Sequence, residues 1–146
     1  MKKTRVIPAF GGFLVLAAAL HGEDVTGLRV IVSASNAVSE LPRERIADLF
    51  LKKVATWEDG KAALSVDQSM AFPLRARFSQ QILGRLPSAV QKYWEERIFS
   101  GRGEPPPIKR SDAEVVEFVA KNVGAIGYVS EQAVLPPGVK VLRVTN

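Results

Sequence analysis

The sequence predicts an α/β domain, and three observations favour that class. The stretch from Leu28 to Ser33 is rich in β-branched residues, a composition typical of a strand that is covered on both faces. Apolar residues recur at helical spacing in later segments, as at Leu74, Phe78 and Ile82. Strand-like and helix-like segments also alternate along the chain, which favours a sheet flanked by helices.

The first half of the domain is expected to contain two strands and a helix. Leu28 to Ser33 is the first strand. Ser39 is expected to cap a helix that passes through Pro42 and ends at about Lys52, because proline suits an early helical position. Glu58 to Gly60 predicts a turn, and Ala63 to Val66 a second strand.

The second half is expected to be richer in helix. Ser111 and Glu114 have the spacing of a capping box, in which each side chain accepts a hydrogen bond from a backbone N–H group at the helix start. The predicted elements are helices over Pro73 to Leu83 and Pro87 to Phe99, a loop over Gly101 to Pro107, a helix from Ser111 to about Asn122, a strand over Ala125 to Val129, a helical turn over Ser130 to Ala133, and a strand over Val139 to Val144. The aromatic residues are expected to fill the core: Trp57, Phe78, Tyr93, Trp94, Phe99 and Tyr128.

The N-terminus has the pattern of a secretory signal peptide. Lys2, Lys3 and Arg5 precede a mostly apolar run that ends at Leu20. The run is too short for a stable membrane span, so we expect cleavage near residue 22 and no stable membrane insertion afterwards. Residues 23–146 are then the mature domain, long enough for one core and short for two. With no cysteine, neither a lipid anchor nor a disulfide is expected, and the predicted location is the periplasm.

Charge points to no macromolecular partner. The full chain has a formal net charge of +5, and loss of residues 1–22 leaves 17 Lys and Arg against 15 Asp and Glu, a net charge of +2. No basic stripe interleaved with aromatic residues remains, so nucleic-acid binding is not expected.

The side chains also argue against catalysis. His21, the only histidine, lies in the predicted signal peptide, so the mature chain lacks both imidazole and thiol. Glu95 and Glu96 are adjacent on a helix and point about 100° apart, which does not direct two carboxylates at one substrate. No dense cluster of carboxylates suggests a metal site. We expect no enzyme, no metal and no cofactor.

The chemistry that remains is the binding of an anion at a helix start. A predicted strand ends at Asp67, Gln68 and Ser69 and runs into a helix whose first turn contains Arg75. Helix N-termini present unused N–H groups and partial positive charge to an oxyanion. Ser69 would donate its hydroxyl, Gln68 its amide and Arg75 its guanidinium, while Asp67 would accept the proton of a hydrogen phosphate or orient Arg75. Each residue also has an ordinary structural role as a cap, turn or surface residue.

A second group of small polar residues follows the first strand. Ser33, Ser35 and Asn36 offer short donors, and we expect them beside the same sheet edge, where the ligands of open α/β sheets collect. The candidate ligand-binding residues are therefore Ser35, Asn36, Asp67, Gln68, Ser69 and Arg75.

A series of short motifs resembles a known family. The series comprises Phe50-Leu51-Lys52, Trp57-Glu58-Asp59-Gly60, Val66-Asp67-Gln68, Pro73-Leu74-Arg75-Ala76-Arg77-Phe78, Tyr93-Trp94, Ile98-Phe99-Ser100-Gly101-Arg102-Gly103 and Gly124-Ala125-Ile126-Gly127-Tyr128. From Val30 to about Leu142 the chain resembles small single-domain relatives of phosphate ABC-transporter substrate-binding proteins. The resemblance implies one three-layer lobe of the type II periplasmic binding protein fold, with a mixed sheet flanked by helices. It also implies inorganic phosphate or a similar oxyanion as ligand, and an ABC permease or another envelope protein as partner.

Two functions remain open at this point. The first is a periplasmic oxyanion-binding module related to phosphate uptake. The second is a secreted interaction protein that keeps the lobe fold and has lost its ligand. Phe72 stands where similar proteins often have a small hydroxyl residue, and Met70-Ala71-Phe72 or the Gly101 to Pro107 loop would then form the partner surface.

Overall fold

The structure is a computed structural model that describes residues 25–146, so the predicted signal peptide lies outside the described residues. The strands are β1 (Leu28–Ser33), β2 (Glu40–Pro42), β3 (Leu64–Ser65), β4 (Asp67–Gln68), β5 (Ile108–Lys109), β6 (Ala125–Ser130), β7 (Val139–Val141) and β8 (Arg143–Thr145). The helices are α1 (Arg43–Phe50), α2 (Pro73–Phe78), which continues as a π-helical turn (Ser79–Leu83), α3 (Pro87–Phe99) and α4 (Asp112–Lys121). None of the helices within residues 25–146 is both long enough and apolar enough to cross a membrane.

The central sheet is mixed, as predicted. Its four strands lie in the order β3, β6, β1, β7. Strand β1 is antiparallel to β6, with Leu28 opposite Ser130 and Val30 opposite Tyr128. It is also antiparallel to β7, whereas β3 is parallel to β6. Two short parallel pairs, β2 with β8 and β4 with β5, extend the fold beside this sheet.

Helices cover both faces of the sheet and produce three layers. On one face Val30 and Tyr128 join a core with Phe50 of α1, Phe78 of α2 and Trp94 of α3. The Phe78 and Tyr128 rings stack with centroids 3.8 Å apart and an interplanar angle of 3°. Such burial of aromatic and β-branched side chains supplies most of the stabilisation of a domain of this size.

The opposite face of the sheet is covered by α4. Ile31 and Val129 of the sheet pack against Val115 and Val119 of this helix. Gly127 lies beneath it, and a Cβ atom there would meet Val115 Cγ1 at 2.6 Å. Because packed cores tolerate extra methyl groups poorly, the missing side chain lets the helix lie close to the sheet.

Most predicted helices are confirmed with small changes at their ends. The segment from Pro73 to Leu83 is helical, but its second half has π geometry, and it stops at Gly84 with φ of +63°. Helix α3 matches its predicted bounds. Helix α4 begins as predicted, with Ser111 Oγ accepting a hydrogen bond from the Glu114 N–H group at 3.1 Å.

Several local predictions are wrong. Ser39 does not cap α1, because the residues after it pair with β8 as strand β2 and Pro42 stands at the helix start. The predicted last strand divides into β7 and β8, which belong to different sheets. Phe99 is 96% exposed rather than buried, because α3 ends at the surface. By contrast, the predicted turn over Ser130 to Ala133 is confirmed, with the Ala133 N–H group donating to the Ser130 carbonyl at 3.2 Å.

Candidate functional site

Asp67 and Arg75 form a buried ion pair. Strand β4 brings Asp67 inward, and the first turn of α2 places Arg75 beside it, with Arg75 Nε 3.0 Å from Asp67 Oδ2. Their side chains are 13% and 7% exposed, respectively. The predicted proximity of Asp67 and Arg75 is confirmed, whereas their roles toward an oxyanion stay predictions. The positive charge of Arg75 is therefore neutralised within the domain and is not presented to solvent.

Tyr128 completes the surroundings of Asp67. The Tyr128 hydroxyl donates a hydrogen bond to Asp67 Oδ1, which also accepts one from the Gln68 N–H group at 2.8 Å. Burial, followed by the adjacent Asp67 carboxylate, raises the pKa of Tyr128 far above its usual value. The hydroxyl thus remains protonated and acts as a donor. The sequence predicts Tyr128 only as a core residue and gives no signal for its polar role.

Gln68 links this pair to the start of α4. Its Nε2 atom donates to the Tyr128 carbonyl at 2.8 Å and to Asp112 Oδ1 at 3.0 Å. Asp112 also accepts hydrogen bonds from the hydroxyl and the N–H group of Ser130. The amide nitrogen of Gln68 therefore has its hydrogen-bond acceptors inside the protein. The Gln68 side chain also lines an open pocket between the starts of α2 and α4.

Ser69 has a structural role in a turn, which the sequence offers as the alternative to anion binding. Its Oγ atom accepts a hydrogen bond from the Ala71 N–H group at 3.3 Å, and its own N–H group donates to the Lys109 carbonyl at 3.1 Å. The hydroxyl proton is not used in either contact. Ser69 therefore shapes the loop between β4 and α2.

Ser35 and Asn36 lie at the other end of the sheet, so the expectation that they share an edge with Asp67 is wrong. Strand β1 runs antiparallel to β6, whereas β3, which leads to Asp67, runs parallel to β6. The ends of β1 and β3 consequently point in opposite directions. Ser35 and Asn36 line a separate cleft with Trp57 and Gly124, and Asn36 Oδ1 accepts a hydrogen bond from the Val38 N–H group.

An open pocket of about 300 Å³ lies between the starts of α2 and α4. We call it the α2–α4 pocket. One wall is the entrance of α2, another is the entrance of α4, and Gln68 lies between them. Its lining residues are Gln68, Phe72, Pro73, Leu74, Arg110, Ser111, Asp112 and Ser130. Of the predicted site residues, only Gln68 lines it.

The α4 side of this pocket carries the donors. Arg110 is exposed, and its guanidinium has no hydrogen bond or ion pair within residues 25–146. Ser111 stands at the N-cap position of α4, whose first-turn N–H groups are not used by the helix itself. Sequence reasoning missed Arg110 and Asp112 as site residues, although the capping box at Ser111 marked the helix start beside them.

The α2 side of the pocket is apolar. Phe72 is 41% exposed, and Pro73 at the first helical position has no N–H group to donate. Leu74 follows. The entrance of α2 therefore supplies neither the hydroxyl group nor the full set of N–H groups that the sequence analysis assigned to an oxyanion site there.

The fold is similar to one lobe of periplasmic binding proteins, as three solved structures show. An ABC-type phosphate transport receptor from Vibrio cholerae superimposes with a TM-score of 0.63 at 18% identity, covering 81% of this chain and 46% of that chain. A structure from Clostridium perfringens with bound phosphate, assigned to the phosphate ABC transporter substrate-binding proteins, gives 0.63 at 21% identity, covering 81% and 44%. PstS from Borrelia burgdorferi gives 0.63 at 12% identity, covering 82% and 47%.

These similarities establish the fold. The chain spans less than half the length of each of these three structures. No protein-family model matches the chain, and no curated protein matches it in sequence. The predicted resemblance to phosphate ABC-transporter substrate-binding proteins is therefore confirmed at the level of one lobe.

Proposed function

We propose that the protein is a periplasmic oxyanion-binding module whose ligand, phosphate foremost, occupies the α2–α4 pocket. The observation that carries this proposal is Arg110, an exposed guanidinium without a partner in the described chain, beside the start of a capped helix. Guanidinium groups match the geometry of two phosphate oxygens, and helix starts favour negative charge. The fold shared with phosphate-binding proteins supports the same class of ligand.

Arg110 takes the role that the sequence analysis gave to Arg75. Arg75 is held by Asp67 inside the domain, so recruiting it for an external anion would leave a buried carboxylate without its counter-ion. Arg110 carries no such cost, because water solvates it until the ligand arrives. Ser111 adds a hydroxyl proton, since its oxygen accepts from Glu114 and its proton has no acceptor among the described contacts.

Asp112 favours hydrogen phosphate over sulfate in this proposal. A carboxylate repels a fully ionised anion, but it accepts a hydrogen bond from an oxyanion that retains a proton. Near neutral pH hydrogen phosphate retains one and sulfate retains none. Asp112 already accepts bonds from Gln68 and Ser130, which fixes its carboxylate at the pocket wall.

The open pocket implies modest affinity. Two or three charge-assisted hydrogen bonds at about 1.5 to 3 kcal/mol each, reduced by ordering and association costs, leave about 4 kcal/mol, a Kd of about 1 mM. Tighter binding would require a partner that covers the pocket, such as an ABC permease or another envelope protein.

The test is thermal unfolding of residues 23–146 with phosphate, sulfate and chloride at equal ionic strength. At a Kd of about 1 mM, phosphate at about 50 mM stabilises the folded state by about 2 kcal/mol and raises the Tm by several degrees. Arg110→Gln should remove this rise. Lys92→Gln, which removes one positive charge from the exposed face of α3 outside the pocket, should keep it.

The same experiment separates the outcomes. Equal shifts in phosphate and chloride, or a phosphate shift that survives Arg110→Gln, would contradict the proposal. A larger shift in sulfate than in phosphate would contradict the role given to Asp112 and leave the site itself in place.

The apolar entrance of α2 favours a second function, an interaction protein that keeps the lobe fold without a ligand. Met70 and Phe72 are 55% and 41% exposed, and Pro73 and Leu74 add to their surface. Under this function a partner retained by the wild type is lost with Phe72→Ser, and no oxyanion changes the Tm. A rise in Tm with phosphate, together with a partner that still binds the Phe72→Ser variant, would exclude this second function.

Export is part of both proposals. The basic and apolar residues before His21 are the basis for it, with cleavage near residue 22. Expression of the full chain in a bacterium with an outer membrane should release a shortened protein into the periplasmic fraction. A chain that stays in the cytoplasm with its first residue intact would refute export.

A further inference from the structure

Another cleft lies between α3 and the β4–β5 pair, and Gln68 is the one lining residue that it shares with the α2–α4 pocket. We call it the α3 slot. It has a volume of about 210 Å³. Trp94 and Ile98 of α3 form one side, and Met70 and Ile108 form the other, with Arg75 also among the lining residues. Three of these apolar side chains are more than half exposed, Met70 at 55%, Ile98 at 54% and Ile108 at 60%.

Arg75, which lines this slot, has one side-chain nitrogen without a partner among the described residues. The residue is 5% exposed, and its Nε atom is bound to Asp67. Within residues 25–146, its Nη1 atom is buried without a hydrogen-bond partner. A buried donor that loses its water and gains no acceptor costs about 1 to 3 kcal/mol, so an acceptor brought by a ligand would relieve this cost.

The size of the slot limits the ligand. An apolar cavity of about 150 Å³ holds a benzene molecule. The α3 slot is larger, and it therefore accommodates a single ring with one short polar substituent. The indole of Trp94 offers an aromatic surface for such a ring.

Charge decides which substituent fits. The Arg75 guanidinium is already compensated by Asp67, and Glu95 adds a second carboxylate at the rim of the slot. An anionic ligand would bring a further negative charge into an apolar site beside these two. A neutral carbonyl oxygen accepts the same hydrogen bond without that penalty.

We propose that the α3 slot is a binding site for a small neutral carbonyl compound with an apolar ring, whose oxygen accepts a hydrogen bond from the Arg75 guanidinium. This site is independent of the oxyanion proposal, because its cation and its apolar walls do not line the α2–α4 pocket. A lobe with both sites would respond to two chemically different ligands.

The test is NMR titration of ¹⁵N-labelled residues 23–146 with benzamide and with benzoate, a matched neutral and anionic pair. The chain has two tryptophans, so two indole N–H signals report on two places. Trp94 lines the slot, and Trp57 donates to the Gly124 carbonyl at the other end of the sheet. Benzamide should move the Trp94 signal with a millimolar or lower Kd and leave Trp57 unmoved, and benzoate should bind at least about tenfold more weakly.

Two neighbouring substitutions provide the control. Ile98→Trp fills the slot and should abolish the benzamide response, whereas Phe99→Trp, at a 96% exposed position outside the slot, should preserve it. If Ile98→Trp does not fold, Met70→Trp closes the slot from the loop side. An unmoved Trp94 signal, benzoate binding as tight as that of benzamide, or a response that survives slot filling would overturn the proposal. A phosphate response at Arg110 has no bearing on these results.

Discussion

Two arginines near the start of α2 and α4 show how differently the same side chain is used. Arg75 is buried and bound to Asp67 at 3.0 Å, and the Tyr128 hydroxyl donates to the same carboxylate. Arg110 is exposed at the wall of an open pocket and has no partner within residues 25–146. The charge of the buried arginine is compensated by Asp67 and contributes to the fold, whereas the charge of the exposed arginine is available to an anion. Substitution of Arg75 should therefore lower the stability of the fold. Substitution of Arg110 should abolish phosphate binding and leave stability nearly unchanged.

The largest expected effect is that of Arg75→Met. It leaves the Asp67 carboxylate buried without a counter-ion, which should lower the free energy of unfolding by about 3 to 5 kcal/mol. Urea unfolding measures this loss. The double variant Asp67→Asn with Arg75→Met removes both charges and should recover much of the stability. A single variant as stable as the wild type would show that the ion pair is not structural.

A smaller effect is expected at high pH from Tyr128. Its pKa is raised in the folded state by burial and by Asp67, while the unfolded side chain titrates near pH 10. The stability that Tyr128 contributes is complete below pH 10. Above pH 10 the unfolded state releases a proton that the folded state retains. Stability should fall by about 1.4 kcal/mol per pH unit above pH 10. Tyr128→Phe should remove this slope, and equal slopes in both proteins would refute the assignment.

Ser111→Ala tests what Ser111, a lining residue of the α2–α4 pocket, contributes to stability and to phosphate binding. The hydroxyl oxygen accepts a hydrogen bond from the Glu114 N–H group, and loss of such a cap typically costs about 1 kcal/mol. Chemical denaturation should detect this loss. Ser111→Asn keeps a capping oxygen and should restore stability without restoring the hydroxyl donor. If both variants bind phosphate like the wild type, Ser111 takes no part in binding.

The smallest stability effect is expected for Arg110→Gln. The side chain is exposed and unpaired in the described chain, so the free energy of unfolding should change by less than about 0.5 kcal/mol. The substitution should nevertheless abolish the phosphate-dependent rise in Tm. A clear loss of stability in the absence of phosphate would place Arg110 with Arg75 as a structural residue and remove the contrast between them.

Features set by local spacing were predictable from the sequence. The capping contact between Ser111 and Glu114 joins residues three positions apart, and the bounds of α3 follow from apolar periodicity and Pro87. Phe99 continues that periodicity, but periodicity alone does not indicate where a helix leaves the core.

Features set by distant contacts were not predictable. Strand direction is not encoded in a β-branched run, so the antiparallel orientation of β1 that separates Asn36 from Asp67 had no sequence signal. Strands β4 and β5 contain two residues each, too few to carry a pattern. The pairing of Asp67 with Tyr128 joins residues 61 positions apart, and only the folded sheet brings them together.

The placement of β1 has a consequence for how the molecule is made. Leu28 pairs with Ser130, and Ser33 pairs with Val139, so within residues 25–146 both neighbouring strands of β1 are synthesised about a hundred positions later. Pairings of such long sequence separation form slowly. The central sheet consequently cannot be completed before Val139 has been synthesised, because β1 lacks its β7 neighbour until then.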